Sequence, residues 1–77
     1  MKVKIKLFDG LEKYSNRKKV EDELDLGNDA DIEDLLDFLS IPKHPKKIIS
    51  VNSNIKDYSQ KLNDGDNIQI FQSLDGG

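Results

Sequence analysis

The opening run KVKIKL, residues 2–7, alternates lysine with an aliphatic residue at every step. A strand accounts for this: it puts Val3, Ile5 and Leu7 on one side and Lys2, Lys4 and Lys6 on the other. Such a strand has one apolar face to bury, so the chain must supply a sheet and a layer to cover it. A second alternating segment runs from about Lys19 to Leu26. There Val20, Leu24 and Leu26 share one parity, while Lys19, Glu21, Glu23 and Asp25 share the other. Antiparallel pairing of the two would set a row of lysines against a row of carboxylates. Each opposed pair is worth about 0.2–1 kcal/mol, and together they favour one register. Asp22 falls on the apolar parity, which places a bulge or a sheet edge there. Between the two strands, Asp9-Gly10 breaks the first, and LEKYSNRK reads as a polar loop.

The covering layer is the segment DADIEDLLDFLSIP. Ile32, Leu35, Leu36 and Leu39 stand at helical spacing and form one apolar stripe. Asp31 is the expected N-cap, and Glu33 and Asp34 suit the positive end of the helix dipole. Phe38 flanks the stripe and is expected to be partly buried. Pro42 ends the helix by about Ile41. Lys43 to Lys47 form a basic loop. KIISV, apolar on both parities, reads as a strand inside the sheet. Asn52 to Asn63 reads as an irregular polar connection anchored by Ile55, Tyr58 and Leu62. Asn63-Asp64-Gly65-Asp66 is a turn. The last strand spans Asn67 to Gln72 with Ile68 and Ile70 inward. Phe71 has the opposite parity and points away from the core. Either a loop covers it, or it forms a docking patch with Leu74.

With 77 residues the chain is read as one domain. It has no Cys, which leaves no disulfide, thiolate metal site or cysteine nucleophile. No apolar run approaches the roughly 18–20 residues that span a bilayer, and the N-terminus lacks the apolar core of a signal peptide. The expectation is a cytoplasmic protein with no membrane partner. The net charge is −3, which disfavours nucleic acid as the main partner. The basic stretches Arg17-Lys18-Lys19 and Lys43 to Lys47 carry no aromatic stacking platform and read as solvated loops.

Side-chain catalysis finds no support. The one histidine, His44, lies between Pro42 and Pro45 with no neighbouring carboxylate to orient it. An EF-hand reading of NDGDN with Gly65 at loop position six would need ligands at Gln60 and Leu62 and a Glu at Phe71. All three fail, so no metal site is expected and a turn is the better account.

The ordered set is more specific than its parts. The stretch VNSNIKDYSQKLNDGDNIQIFQSLDGG ends a strand at Val51-Asn52, places Leu62 before the Asp64-Gly65-Asp66 turn, alternates Ile68 and Ile70, closes on Phe71 and finishes at Gly76-Gly77. With DIEDLLDFL as the helix, the whole chain resembles the ubiquitin-like sulfur carriers of the MoaD/ThiS family. The resemblance implies an α+β, β-grasp fold: a mixed sheet of about four to five strands on one main helix. It implies a single domain over 1–77, with 72–77 as a flexible C-terminal tail.

It also implies that the reactive group is the Gly77 carboxylate and that the chain is a carrier rather than an enzyme. A ubiquitin-activating-type adenylyltransferase, using ATP and Mg, would convert that carboxylate to an acyl-adenylate. A sulfur donor would then leave a thiocarboxylate. A synthase, either the large subunit of molybdopterin synthase or thiazole synthase, would take the sulfur for molybdopterin, tungstopterin or the thiazole of thiamine. The chain itself would bind no cofactor. Gly76, without a Cβ, suits threading through a narrow channel, and Phe71, Leu74 and Asp75 would meet the partner. Two departures bear on partner choice. Gln72-Ser73 stands where MoaD-like members commonly have Pro-Pro, and Asp75 stands where a small or apolar residue is usual. Phe71-Gln72 looks more like ThiS, whereas the long first hairpin looks more like MoaD, so the pathway stays open. Two rival readings are a ubiquitin-like modifier conjugated through Gly77 and a non-covalent interaction domain.

Overall fold

A computed structural model describes residues 1–15 and 19–73. Strand β1, Lys2–Leu7, pairs antiparallel with β2, Glu21–Asp25. The pairing matches Lys2 to Asp25, Lys4 to Glu23 and Lys6 to Glu21, so the lysine row does face the carboxylate row. One of these pairs, Lys6–Glu21, closes to 3.4 Å. Asp22 sits opposite Ile5 on an edge strand, which explains a carboxylate on the apolar parity.

Helix α1 spans Ile32–Leu39 and buries Ile32, Leu35, Leu36 and Leu39. Asp31 caps it as expected. Its Oδ1 accepts from the Asp34 N–H at 2.9 Å, and Asp34 Oδ2 accepts from the Asp31 N–H at 3.0 Å. The helix stops at Leu39 because Ser40 turns into the left-handed region at φ 59°. Phe38 is 55% exposed and stands clear of the stripe rather than half under it.

Strands β3, Lys47–Val51, β4, Asn54–Lys56, and β5, Asn67–Gln72, complete a five-stranded sheet of order β2-β1-β5-β3-β4. Strand β5 runs parallel to β1 and antiparallel to β3, so the last strand in sequence lies at the centre. Strand β3 is interior, between β5 and β4. Val3, Ile5, Leu7, Ile49, Ile68 and Ile70 meet the helix stripe in one core. The fold is a ubiquitin-like β-grasp: among the described residues, a mixed sheet with one α-helix across one face and the other face open. Among the described residues, no helix is long and apolar enough to cross a membrane.

Four local expectations are corrected. LEKYSNRK is no simple loop: Leu11–Tyr14 form a 3-10 turn that drives Leu11 fully into the core. Val20 is 46% exposed, because β2 begins only at Glu21 and no layer among the described residues covers that end of the sheet edge. Lys47 is buried at the start of β3, its Nζ bonded to the Pro45 carbonyl and its N–H donated to the Tyr58 hydroxyl. The connection after Asn52 contains β4, and Ile55 is no core anchor but 71% exposed. The β3–β4 loop is two residues long, and Asn52 and Ser53 both have positive φ, as a type I′ hairpin turn requires.

The Asn63–Asp66 turn does form, with Gly65 at φ 87°. It clasps the start of β1: the Lys2 N–H donates to Asp64 Oδ1 at 2.7 Å, and the Gly65 N–H donates to the Lys2 carbonyl. The buried Asp66 carboxylate is satisfied by Asn52 Nδ2 at 2.9 Å and the Asn63 N–H at 2.8 Å. A buried carboxylate with two donors sets where β5 begins, and hence which face each later residue meets.

Candidate functional site

Paired residues of neighbouring strands share a face, so the register settles what the open face carries. Phe71 stands opposite Ile48, and Ser50 stands opposite Ile55. Phe8, one residue beyond β1, continues the parity of Lys2, Lys4 and Lys6. Its N–H donates to the Ile70 carbonyl at 3.0 Å, which holds it beside β5. The rings of Phe8 and Phe71 stack with centroids 4.5 Å apart and planes within 9°. Lys6 Nζ lies 5.5 Å from the Phe8 centroid, within cation–π range. Phe8, Phe71, Ile48 and Ile55 thus form an apolar band on the face away from the helix. Ile48 is 39% and Ile55 71% exposed, while both rings are half-buried.

The band lies where β5 ends. Gln72 is still paired with Lys47, and its N–H donates to Asp9 Oδ2 at 3.2 Å. The turn after β1 therefore holds the end of β5 in place, one residue before Ser73. Of the expected partner-contacting residues, Phe71 is on the open face, covered in part by Phe8 of the connection that follows β1. Leu74, Asp75, Gly76 and Gly77 lie outside the described residues.

Sequence reasoning missed Phe8, Ile48 and Ile55. Phe8 had a usable signal, since its position is even like those of the lysines. Ile48 had one too: a strand apolar on both parities must send one of them outward. Ile55 had none, because β4 itself was not recognised.

The remaining candidates form no catalytic constellation. His44 is exposed. Among the described residues, no group of three or more His, Cys, Asp or Glu side chains could hold a metal ion. Two charges, the exposed Asp57 and the partly buried Lys43, have shifted titrations. The hydrogen bond from the Ser59 hydroxyl, then that from the Ser59 N–H, lowers the Asp57 pKa. The Asp37 carboxylate, 2.7 Å away, raises that of Lys43.

Several solved structures share this architecture. SAMP1 from Haloferax volcanii superposes with a TM-score of 0.76 at 18% identity, covering 100% of both chains. A putative molybdopterin converting factor subunit 1 from Pyrococcus furiosus gives 0.74 at 23% identity, covering 95% of this chain and 98% of its own. The complex of subunits 1 and 2 of molybdopterin-converting factor from Helicobacter pylori 26695 gives 0.64 at 23%, covering 100% of both chains. At such identities the likeness establishes the fold alone. No curated protein matches the sequence. The sequence model of the ThiS family, however, matches residues 5–77, from β1 through the Gly-Gly pair. This chain therefore belongs to the ThiS family of ThiS/MoaD-like sulfur carriers.

Proposed function

We propose that Gly77 is the working residue and that its carboxylate carries sulfur. The observation that carries this reading is the ThiS-family match running through residue 77. The fold adds support, since β5 ends beside an exposed apolar band. A partner can grip that band while the residues after Ser73 reach into its active site. Docking on a rigid face offsets the entropy lost when those residues are ordered.

A carboxylate is a poor electrophile. In the proposed sequence a Gly77 oxygen attacks the α-phosphorus of ATP in a ubiquitin-activating-type enzyme, releasing pyrophosphate. A persulfide-type donor then displaces AMP and, after reductive cleavage of the S–S bond by a thiol, leaves the thiocarboxylate. A synthase of molybdopterin, tungstopterin or thiazole formation takes the sulfur and returns the carboxylate. Gly76 fits a narrow channel, Phe71 and Leu74 contact the partner, and Asp75 meets a cation there.

Incubation with a cognate activating enzyme, ATP and a sulfur donor, followed by intact-mass analysis, tests this. A gain equal to the sulfur-for-oxygen difference is expected. Deleting Gly76 and Gly77 should abolish the gain and leave thermal stability unchanged. An unmodified full-length chain beside a competent enzyme sinks the reading.

A second reading has its own support, because one of the similar structures is described as a small archaeal modifier protein. There the same activated Gly77 would form an isopeptide bond with lysine. Covalent ladders on denaturing gels, lost on deleting Gly77, would favour it.

A further inference from the structure

Along β5 and the residue before it, backbone groups divide by parity. Even-numbered residues turn theirs toward β1: the Lys4 N–H donates to the Asp66 carbonyl at 2.9 Å, and the Phe8 N–H to the Ile70 carbonyl at 3.0 Å. Odd-numbered residues face β3, as where the Asn52 N–H donates to the Asn67 carbonyl at 2.8 Å. One more step of the parallel ladder would give the Gln72 N–H to the Phe8 carbonyl. That carbonyl instead accepts from the Leu11 N–H at 3.0 Å, because the chain reverses between Phe8 and Leu11. Asp9 at φ 57° and Gly10 at φ 86° carry the reversal, the pattern of a type I′ turn.

The Asp9 carboxylate stands in for the departed strand. Its Oδ2 accepts from the Gln72 N–H at 3.2 Å, so the last N–H of β5 on that side is held by a side chain instead of a ladder. On the other side β3 begins only at Lys47, the residue paired with Gln72. Gln72 is thus fixed from both sides at the point where β5 ends. Glycine would serve a positive φ at less cost. What Asp9 adds to the turn is the acceptor.

Resting on the sulfur-carrier reading, we infer that Asp9 is a positioning residue for the reaction at Gly77. It touches no reacting atom and acts through Gln72. By holding that N–H it fixes the root of the segment whose carboxylate must meet ATP, while docking is left to the apolar band. A released root leaves more conformations to be lost each time the carboxylate is brought to the α-phosphorus. That loss falls on turnover rather than on docking.

Adenylation by a cognate activating enzyme, read as ATP–pyrophosphate exchange with the full chain as the varied substrate, tests this. Asp9→Gly keeps the turn and removes the acceptor. It should lower kcat about fivefold and leave KM within about twofold of wild type. Asp9→Asn keeps an acceptor oxygen and tolerates the positive φ, so it should restore most of kcat. Asp31→Ala weakens the cap of α1 instead, and should leave both constants unchanged while the chain is folded. Amide hydrogen exchange followed by NMR reads the same bond without the enzyme. Asp9→Gly should speed exchange at Gln72 about tenfold and leave Ile70 unchanged.

An unchanged kcat in Asp9→Gly, a loss confined to KM, an Asp9→Asn chain as slow as Asp9→Gly, or unchanged exchange at Gln72 each overturns the inference and leaves the carrier reading standing. Asp31→Ala as slow as Asp9→Gly marks a general stability effect and overturns it too. A wild-type chain that a competent enzyme does not adenylate sinks the carrier reading, and this inference with it.

Discussion

The Phe8–Phe71 stack joins the turn after β1 to the end of β5, and its strength can be isolated by a double-mutant cycle. Complete burial of a phenylalanine makes its truncation to alanine cost about 3–5 kcal/mol. Both rings here are half-buried, so Phe8→Ala and Phe71→Ala should each cost about 1–2 kcal/mol. With centroids 4.5 Å apart and near-parallel planes, part of each loss is shared. An aromatic pair contributes about 0.5–1.5 kcal/mol beyond area burial, so the double variant should lose that much less than the sum of the singles. Urea unfolding is a suitable assay. For a domain this small the slope is about 1 kcal/mol per molar, so the non-additivity appears as about 0.5–1.5 M in the midpoint. Losses that add within about 0.3 kcal/mol would refute the stacked geometry. If the rings also form the docking face, Phe71→Ala should weaken partner binding by much more than its stability loss explains under conditions where the variant remains folded.

Three further outcomes follow from the packing and the charges. Leu11→Ala should cost about 2–5 kcal/mol in urea unfolding, since Leu11 is fully buried, and a loss below 1 kcal/mol would return the segment to an ordinary loop. Asp31→Ala should cost about 1 kcal/mol and lower the melting temperature by about 4–8 °C, with Asp31→Asn close to wild type, as expected of a capping residue. Asp57 has its folded pKa lowered, so its contribution to stability is present above the ordinary carboxylate value of 3.8 and is lost as pH falls through its folded pKa. Ser59→Ala should move the Asp57 titration, followed by NMR, back up toward that value, and an unmoved titration would show that the hydroxyl is not the cause.

Local pattern was enough for the amphipathic elements. The alternation of residues 2–7 placed β1 correctly, the helical spacing of Ile32, Leu35, Leu36 and Leu39 placed α1, and Asp31 was legible as its cap. These features depend on neighbours within a few positions, and the physics of a strand or a helical turn is local. The opposed lysine and carboxylate rows were also legible, because side-chain parity and hairpin pairing together fix which charges meet. Strand β4 was not. Its turn is Asn-Ser rather than Asn-Gly, and three polar or exposed residues carry no periodic signal.

What the tertiary structure alone decided is which outward apolar residues become neighbours. Parity put Phe71 outside from sequence, but nothing local placed Phe8 beside it. That needed β5 to enter between β1 and β3, a parallel pairing between segments more than sixty residues apart. The same insertion brings Ile48 opposite Phe71 and leaves Ile55 on the sheet edge, where no strand or helix among the described residues covers it. A chain can encode each strand's two faces within a few residues. Strand order is a non-local property, set by how all the apolar faces can be buried together, and here it assembles the band beside the end of β5.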